Sequence, residues 1–112
     1  MKITVHRRGG PKPVTFSEFA HRHDLELEVR ERPVVVNGRL DRWCCSFKDV
    51  EISEPGVLVS TSGNGDTIAL AIADYAERLR GKRLVKNAWT PSRQEFDAPN
   101  EWAPEDFGAL AG

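Results

Sequence analysis

The spacing of apolar side chains changes period several times along the chain, and each change marks an element. Thr15 followed by Glu18 has the form of a capping box, and Val14 is placed to staple against Phe19. Phe16, Phe19, Ala20 and His23 then lie near one face of a short helix that ends near Asp24. Leu25, Leu27 and Val29 alternate with Glu26, Glu28 and Arg30, the period-two signature of a strand with one wet face. Pro33 is expected to break that strand. Val34-Val-Val-Asn-Gly-Arg39 is expected to form a hairpin, because Asn37-Gly38 tolerates the positive φ of a type I′ turn. In the following strand Trp43, Cys45 and Phe47 share one face and Cys44 and Ser46 the other. Glu54-Pro55-Gly56 reads as a turn and Val57 to Ser60 as a further β-rich run, so residues 42–61 predict an antiparallel pair.

The run Ser62-Gly-Asn-Gly-Asp66 leads into a helix capped by Asp66 or Thr67. At helical spacing Ile68, Ile72, Tyr75, Ala76 and Leu79 fall within an arc of about 100°, wide enough to cover a sheet. Gly81 supplies the stop, and Leu84 to Ala88 predicts a short final strand. Ahead of the first helix, Met1 to Val5 predicts another short strand, ended by the basic turn His6 to Pro13. The expected class is α+β: an antiparallel sheet covered by the amphipathic helix of the C-terminal half, with a short N-terminal helix and an irregular acidic tail. Residues 1–88 form the expected domain, with 42–85 as its core unit. Residues 89–112 form the tail, where Pro91, Pro99 and Pro104 preclude long regular elements and five acids but no base follow Arg93. That tail is expected either to drape over the domain through Trp89, Phe96, Trp102 and Phe107 or to be partly disordered.

Composition narrows the class further. A chain of 112 residues, 39% of them hydrophobic, is the size of one domain that can bury a modest core. Sixteen basic and seventeen acidic side chains leave a net charge of -1, so no global field draws in nucleic acid or an anionic membrane. The two cysteines, Cys44 and Cys45, are adjacent and point to opposite faces of a strand, which gives no disulfide framework and fits a reducing compartment. No apolar window approaches the roughly 18 residues of a membrane span, and the N-terminus has no apolar signal region. The expectation is a soluble, cytoplasmic protein with no membrane partner.

Candidate chemistry is local. Arg78, Arg80, Lys82, Arg83, Lys86 and Arg93 place six cations in sixteen residues with no acid between them, a candidate nucleic-acid-binding segment. The structural alternative is a helix C-terminus favouring cations, an Asp74–Arg78 helix pair and solvated strand faces. Gly63-Asn-Gly-Asp66 superficially has the form of a phosphate cradle, but lacks Gly-Lys-Ser/Thr and carries an acid, so it reads as a tight strand-to-helix joint. His21, His23, Cys44 and Cys45 supply metal-capable atoms whose spacing does not converge them, and neither metal nor cofactor is expected. Asp24, Asp49, Glu51, Asp66 and Asp74 are not brought together by spacing, and Ser46 and Ser60 have no nucleophile-elbow context, so the expectation is no enzyme. Leu70 falls about 200° from Ile68, on the helix flank that carries Asp74 and Glu77. With Trp102 from the tail, these residues form the expected partner-binding surface.

Two resemblances rest on these motifs. Trp43-Cys-Cys-Ser-Phe47, Gly65-Asp-Thr67 and the helix from Ile68 to Arg80 together resemble the HicB-type antitoxin domain over about forty residues. That resemblance implies a partly degenerate RNase H-like or dsRBD-like α+β core and a non-catalytic binding role. Leu27 to Pro33, Arg42 to Phe47, Gly63 to Thr67, Ala73-Asp-Tyr-Ala76 and Gly81 to Val85 are similar to segments of small phage and prophage proteins, across most of residues 16–96. This second resemblance implies a phage accessory protein that binds, and modulates or inhibits, a host or phage protein, host-defence inhibitors such as anti-CRISPR proteins included. The alternatives are a nucleic-acid binder and a HicB-like antitoxin. An antiparallel sheet of this size also leaves an edge to be paired or covered, so a homodimer stays open.

Overall fold

The computed structural model describes residues 13–36 and 38–111. The element order is α1 (Phe16–Arg22), β1 (Leu27–Val36), β2 (Arg39–Phe47), β3 (Val50–Glu54), β4 (Val57–Val59), β5 (Gly63–Gly65), α2 (Ile68–Leu79), β6 (Arg83–Lys86), β7 (Gln94–Asp97) and α3 (Phe107–Ala111). The fold is α+β, with two antiparallel sheets in the orders β1-β2-β5 and β4-β3-β6-β7. The expected strand Met1 to Val5 and most of the basic turn after it lie outside the described residues, as does Asn37.

Caps begin both longer helices where the sequence puts them. Thr15 Oγ1 accepts the Glu18 N–H at 3.0 Å, and Thr67 Oγ1 accepts the Leu70 N–H at 3.1 Å. Ile72, Tyr75, Ala76 and Leu79 of α2 are buried with Ala71, and Ile68 packs partly buried at the start of the same face. Gly81 follows the helix at φ +67.

The strands differ from the expectation in three places. Pro33 does not end β1: the strand runs on to Val36, and the register against β2 slips between Glu31 and Val34. A bulge there accommodates a residue that cannot donate to the ladder. Beyond it the hairpin closes as expected, with Val36 opposite Arg39 and Gly38 at φ +75. Residues 42–61 are not one antiparallel pair. The chain turns at Lys48-Asp49, where Asp49 takes φ +59, and passes from one sheet into the other; β3 then pairs with β4 through the Glu54-Pro55-Gly56 turn.

Gly63-Asn-Gly65, expected as a joint, is instead the short strand β5, pairing Gly63 with Cys45 and Gly65 with Trp43. The glycines are required by the helix above them. A methyl on Gly63 would collide with the Ala71 carbonyl oxygen and the Tyr75 nitrogen, and one on Gly65 would stand 2.5 Å from the Ala71 nitrogen. α2 therefore rests directly on backbone.

Ordered elements also continue past Lys86, so the strand expected to close the fold is not the last. β7 pairs with β6, α3 follows, and the segment expected as an irregular tail completes the core. Phe16 stacks on Phe47 at 5.0 Å, and Trp102 and Phe107 stand edge-on to Phe16 at 5.3 and 6.0 Å. Full burial of a side chain such as Phe16 contributes about 1.5–3 kcal/mol. Phe96 and Trp102 pack as the draped reading requires, whereas Trp89 stays 83% exposed. A boundary after residue 88 thus cuts through β-pairing and core contacts.

Candidate protein-binding site

Three elements leave a gap over β1. The Leu25 N–H donates to the Ala20 carbonyl at 2.8 Å, which folds β1 back beside α1. The first turns of α2 close the opposite side with Ile68 and Ile72. Between them lies a groove of about 530 Å³, lined by Phe16, Ala20, Leu25, Leu27, Val29 and Phe47, with Ser17 and His21 at the α1 side. Its walls are mostly hydrocarbon, as in sites that take up apolar groups. Val29, on the core-facing row of β1, is still 38% exposed. Ser17 Oγ is buried with no hydrogen-bond partner among the described residues, while the Ser17 N–H is held by Glu105 Oε1 at 3.0 Å.

β1 is also an open sheet edge: among the described residues its only strand partner is β2. Two hydrogen bonds fix which backbone groups face outward. Lys48 N–H donates to the Glu26 carbonyl at 2.8 Å, so Glu26 opposite Lys48 belongs to the bonded set, together with Glu28 and Arg30. Phe47, opposite Leu27, turns its N–H away from β1 and donates it to Tyr75 Oη at 2.9 Å. By the alternation of antiparallel ladders, Leu27, Val29 and Glu31 present their N–H and C=O groups to the open side. Edge hydrogen-bonding groups and the apolar groove therefore adjoin at Val29.

The four residues expected to bind a partner are not assembled into one surface. Leu70 is 56% exposed on α2, and the chain past Trp89 does not cover it. Asp74 is turned inward: its Oδ2 accepts the Asn64 N–H at 2.8 Å and pairs with Arg78 at 2.9 Å. Glu77 pairs with Arg80 at 2.7 Å. Trp102 is a core residue, its ring against Phe16 and Phe19 and its Nε1–H donated to the Ala76 carbonyl at 2.7 Å. That bond satisfies an indole N–H which a buried tryptophan otherwise leaves unpaired.

The cationic segment is likewise engaged. Arg78 and Arg80 hold Asp74 and Glu77, Lys82 meets Glu54 at 3.7 Å, and Arg83 meets Glu95 and Asp97 at 3.4 and 3.1 Å. Arg93 pairs with Glu95 at 3.3 Å, and Lys86 Nζ donates to the Asp24 carbonyl. The two β7 carboxylates hold the Arg83 guanidinium above its ordinary value, chiefly through the Asp97 hydrogen bond. No acid lies between these cations in sequence, yet the neighbouring strands and the helix bring acids to all but Lys86, which a backbone carbonyl engages.

The remaining candidates for chemistry stay apart. Among the described residues no group of three or more His, Cys, Asp or Glu side chains could hold a metal ion. Ser46 and Ser60 line a shallow polar cleft with Thr61, Ser62, Asn64 and Arg78, a lining that offers no carboxylate or imidazole to take a hydroxyl proton. Burial pushes the Cys45 thiol up to about 12, helped by Cys44, which keeps it protonated and poorly nucleophilic near neutrality. Burial likewise raises the Tyr75 hydroxyl to about 12, against the lowering effect of its bond to Phe47.

No family model matches the chain, and neither a curated protein nor a solved structure shows significant similarity to it. The groove residues were missed in the sequence because Leu25, Leu27 and Val29 read as an ordinary core-facing row. Alternation reports which face is apolar; it does not report whether anything covers it.

Proposed function

We propose that the protein is a non-catalytic binding module that takes up an extended segment of another polypeptide along the open edge of β1. The observation that supports this reading is the junction at Val29 of an apolar groove with edge groups that no strand among the described residues pairs. Strand addition uses such a junction: main-chain hydrogen bonds supply affinity, and a neighbouring pocket selects the side chain that enters it. Engagement of the cationic side chains by carboxylates favours a protein over a nucleic acid as partner.

The finer form of this reading is an accessory protein of phage origin, acting in the host cytoplasm by holding a host or phage protein, as inhibitors of host defence do. It draws on the phage-protein and HicB-like resemblances of the sequence motifs. That no helix among the described residues is long and apolar enough to cross a membrane is compatible with it.

The test is photo-cross-linking in bacterial cells, with a benzophenone side chain at position 29 of the full chain and, as control, at Ser60. The expected result is a discrete polypeptide adduct from position 29 that is insensitive to nuclease and absent from position 60. No polypeptide adduct at position 29 would overturn the proposal.

A further inference from the structure

On the solvent face of β1 the side chains flanking Val29 are charged, and their signs are arranged about that residue. On that face Glu28 precedes Val29 and Arg30 follows it at the same distance, with Glu26 just ahead of the strand and Arg32 at the bulge, while Glu31 shares the face of Val29 and stands as far from it as Leu27 does. Within one copy Arg30 leans back on Glu28 at 3.6 Å, Arg30 largely in solvent and Glu28 partly so, and Arg32 is exposed.

We propose that the strand taken up by the β1 edge is the β1 of a second copy, paired antiparallel about a two-fold axis at Val29. This rests on the reading of β1 as a binding edge and names its partner. The backbone phase permits the pairing. Leu27, Val29 and Glu31 face outward, so Val29 opposite Val29, flanked by Leu27 opposite Glu31 on either side, gives three bonded pairs in a continuous ladder. Glu28 then lies opposite Arg30, twice by symmetry. They occupy the non-bonded positions of the new ladder, where side chains approach most closely.

The charge pattern selects this register against its neighbours. Slipping the second strand by two residues one way places Arg30 opposite Arg30, and slipping it the other way places Glu28 opposite Glu28. A parallel in-register pairing would set every charge against its like. Charged side chains on an edge ordinarily discourage pairing. Here the signs admit one strand, that of another copy running the other way, and disfavour the alternatives. The two Val29 side chains meet across the axis on the groove side, which covers the apolar surface that a single copy leaves exposed at this edge.

Sedimentation velocity on the full chain, from micromolar to millimolar concentration, tests the pairing. The expected species has twice the 12.5 kDa chain mass and dissociates more readily as salt is raised, because exposed pairs are screened. Glu28→Arg and Arg30→Glu each turn two attractions into repulsions and should each weaken dimerisation about tenfold or more. The double variant Glu28→Arg/Arg30→Glu restores the pattern with reversed signs and should return to within about threefold of the original affinity. Circular dichroism of the three variants establishes that they fold alike. A monomer at every concentration, single reversals without effect, or a double variant as weak as the singles would overturn the proposal. A position-29 adduct to a different polypeptide would then leave the binding-module reading standing while removing the second copy.

Discussion

Tyr75 Oη accepts the backbone N–H of Phe47 at 2.9 Å, in the place where a third strand would have done so. β5 stops pairing with β2 at Cys45, two residues short of Phe47, and the helix lying over the sheet supplies the missing acceptor. The contact ties α2 to β2 inside the aromatic core, with Phe16 and Phe47 both against the Tyr75 ring. Tyr75→Phe keeps the ring and leaves a buried N–H unsatisfied. The expected loss is about 1–3 kcal/mol, read as a lower urea midpoint with unchanged slope.

The contact of α2 with β5 leads to a sharper contrast. Gly63→Ala places its methyl against Ala71 and Tyr75 main chain, where no side-chain rotation relieves it. It should cost about 3 kcal/mol or leave the chain unfolded, more than overpacking usually does, because backbone must move. Asn64→Ala, between the two glycines, keeps the N–H that Asp74 accepts and should cost under about 1 kcal/mol. Denaturant unfolding of the two variants side by side checks the difference.

His23 lies parallel to Phe96 with ring centroids 4.2 Å apart. Burial, with a smaller contribution from Arg22, lowers its pKa below the ordinary 6.5. The unfolded chain therefore binds the proton first as pH falls. The contribution of the neutral imidazole is complete above about 6.5 and is lost as pH drops from there through the folded-state value. Melting temperatures of the wild type and His23→Phe should run parallel above pH 7 and diverge below pH 6, with the wild type falling faster.

The engaged cations carry a prediction about nucleic acid. At low salt the protein should not be retained on single- or double-stranded DNA or RNA, and Arg80→Glu/Lys86→Glu should elute as the wild type does. Retention that fell linearly against the logarithm of salt concentration, with a slope of about −3 or steeper, would restore the basic segment as an interface.

What could be read in the sequence was local. Thr15 and Thr67 announce helix starts through side-chain chemistry, Gly38 announces the hairpin, and the α2 face follows from helical spacing. The missed features depend on neighbours distant in sequence. The Lys48-Asp49 corner lies inside a β-rich run, and nothing local distinguishes it from a continuing strand. Gln94-Glu-Phe-Asp97 offers one apolar side chain, and becomes a strand because β6 lies alongside and Arg83 reaches its acids. Gly63 and Gly65 looked like turn residues because the helix pressing on them is out of view in one dimension. Of the candidate site, the alternating row ending at Val29 was legible, but that the described residues leave it partly uncovered was not.

The Phe16 ring, near the start of the described chain, finishes its packing only against Trp102 and Phe107, close to the other end. The Ala103 N–H reaches back to the Val14 carbonyl at 2.9 Å, joining the same distant segments. Synthesis at about 5–20 residues per second therefore leaves α1 without its aromatic lid for several seconds after it emerges from the ribosome. The nascent protein spends that interval with Phe16 and Phe19 open to water, and anything that holds the two ends apart, such as a ribosome stalled before Trp102, holds the molecule in that unsealed form.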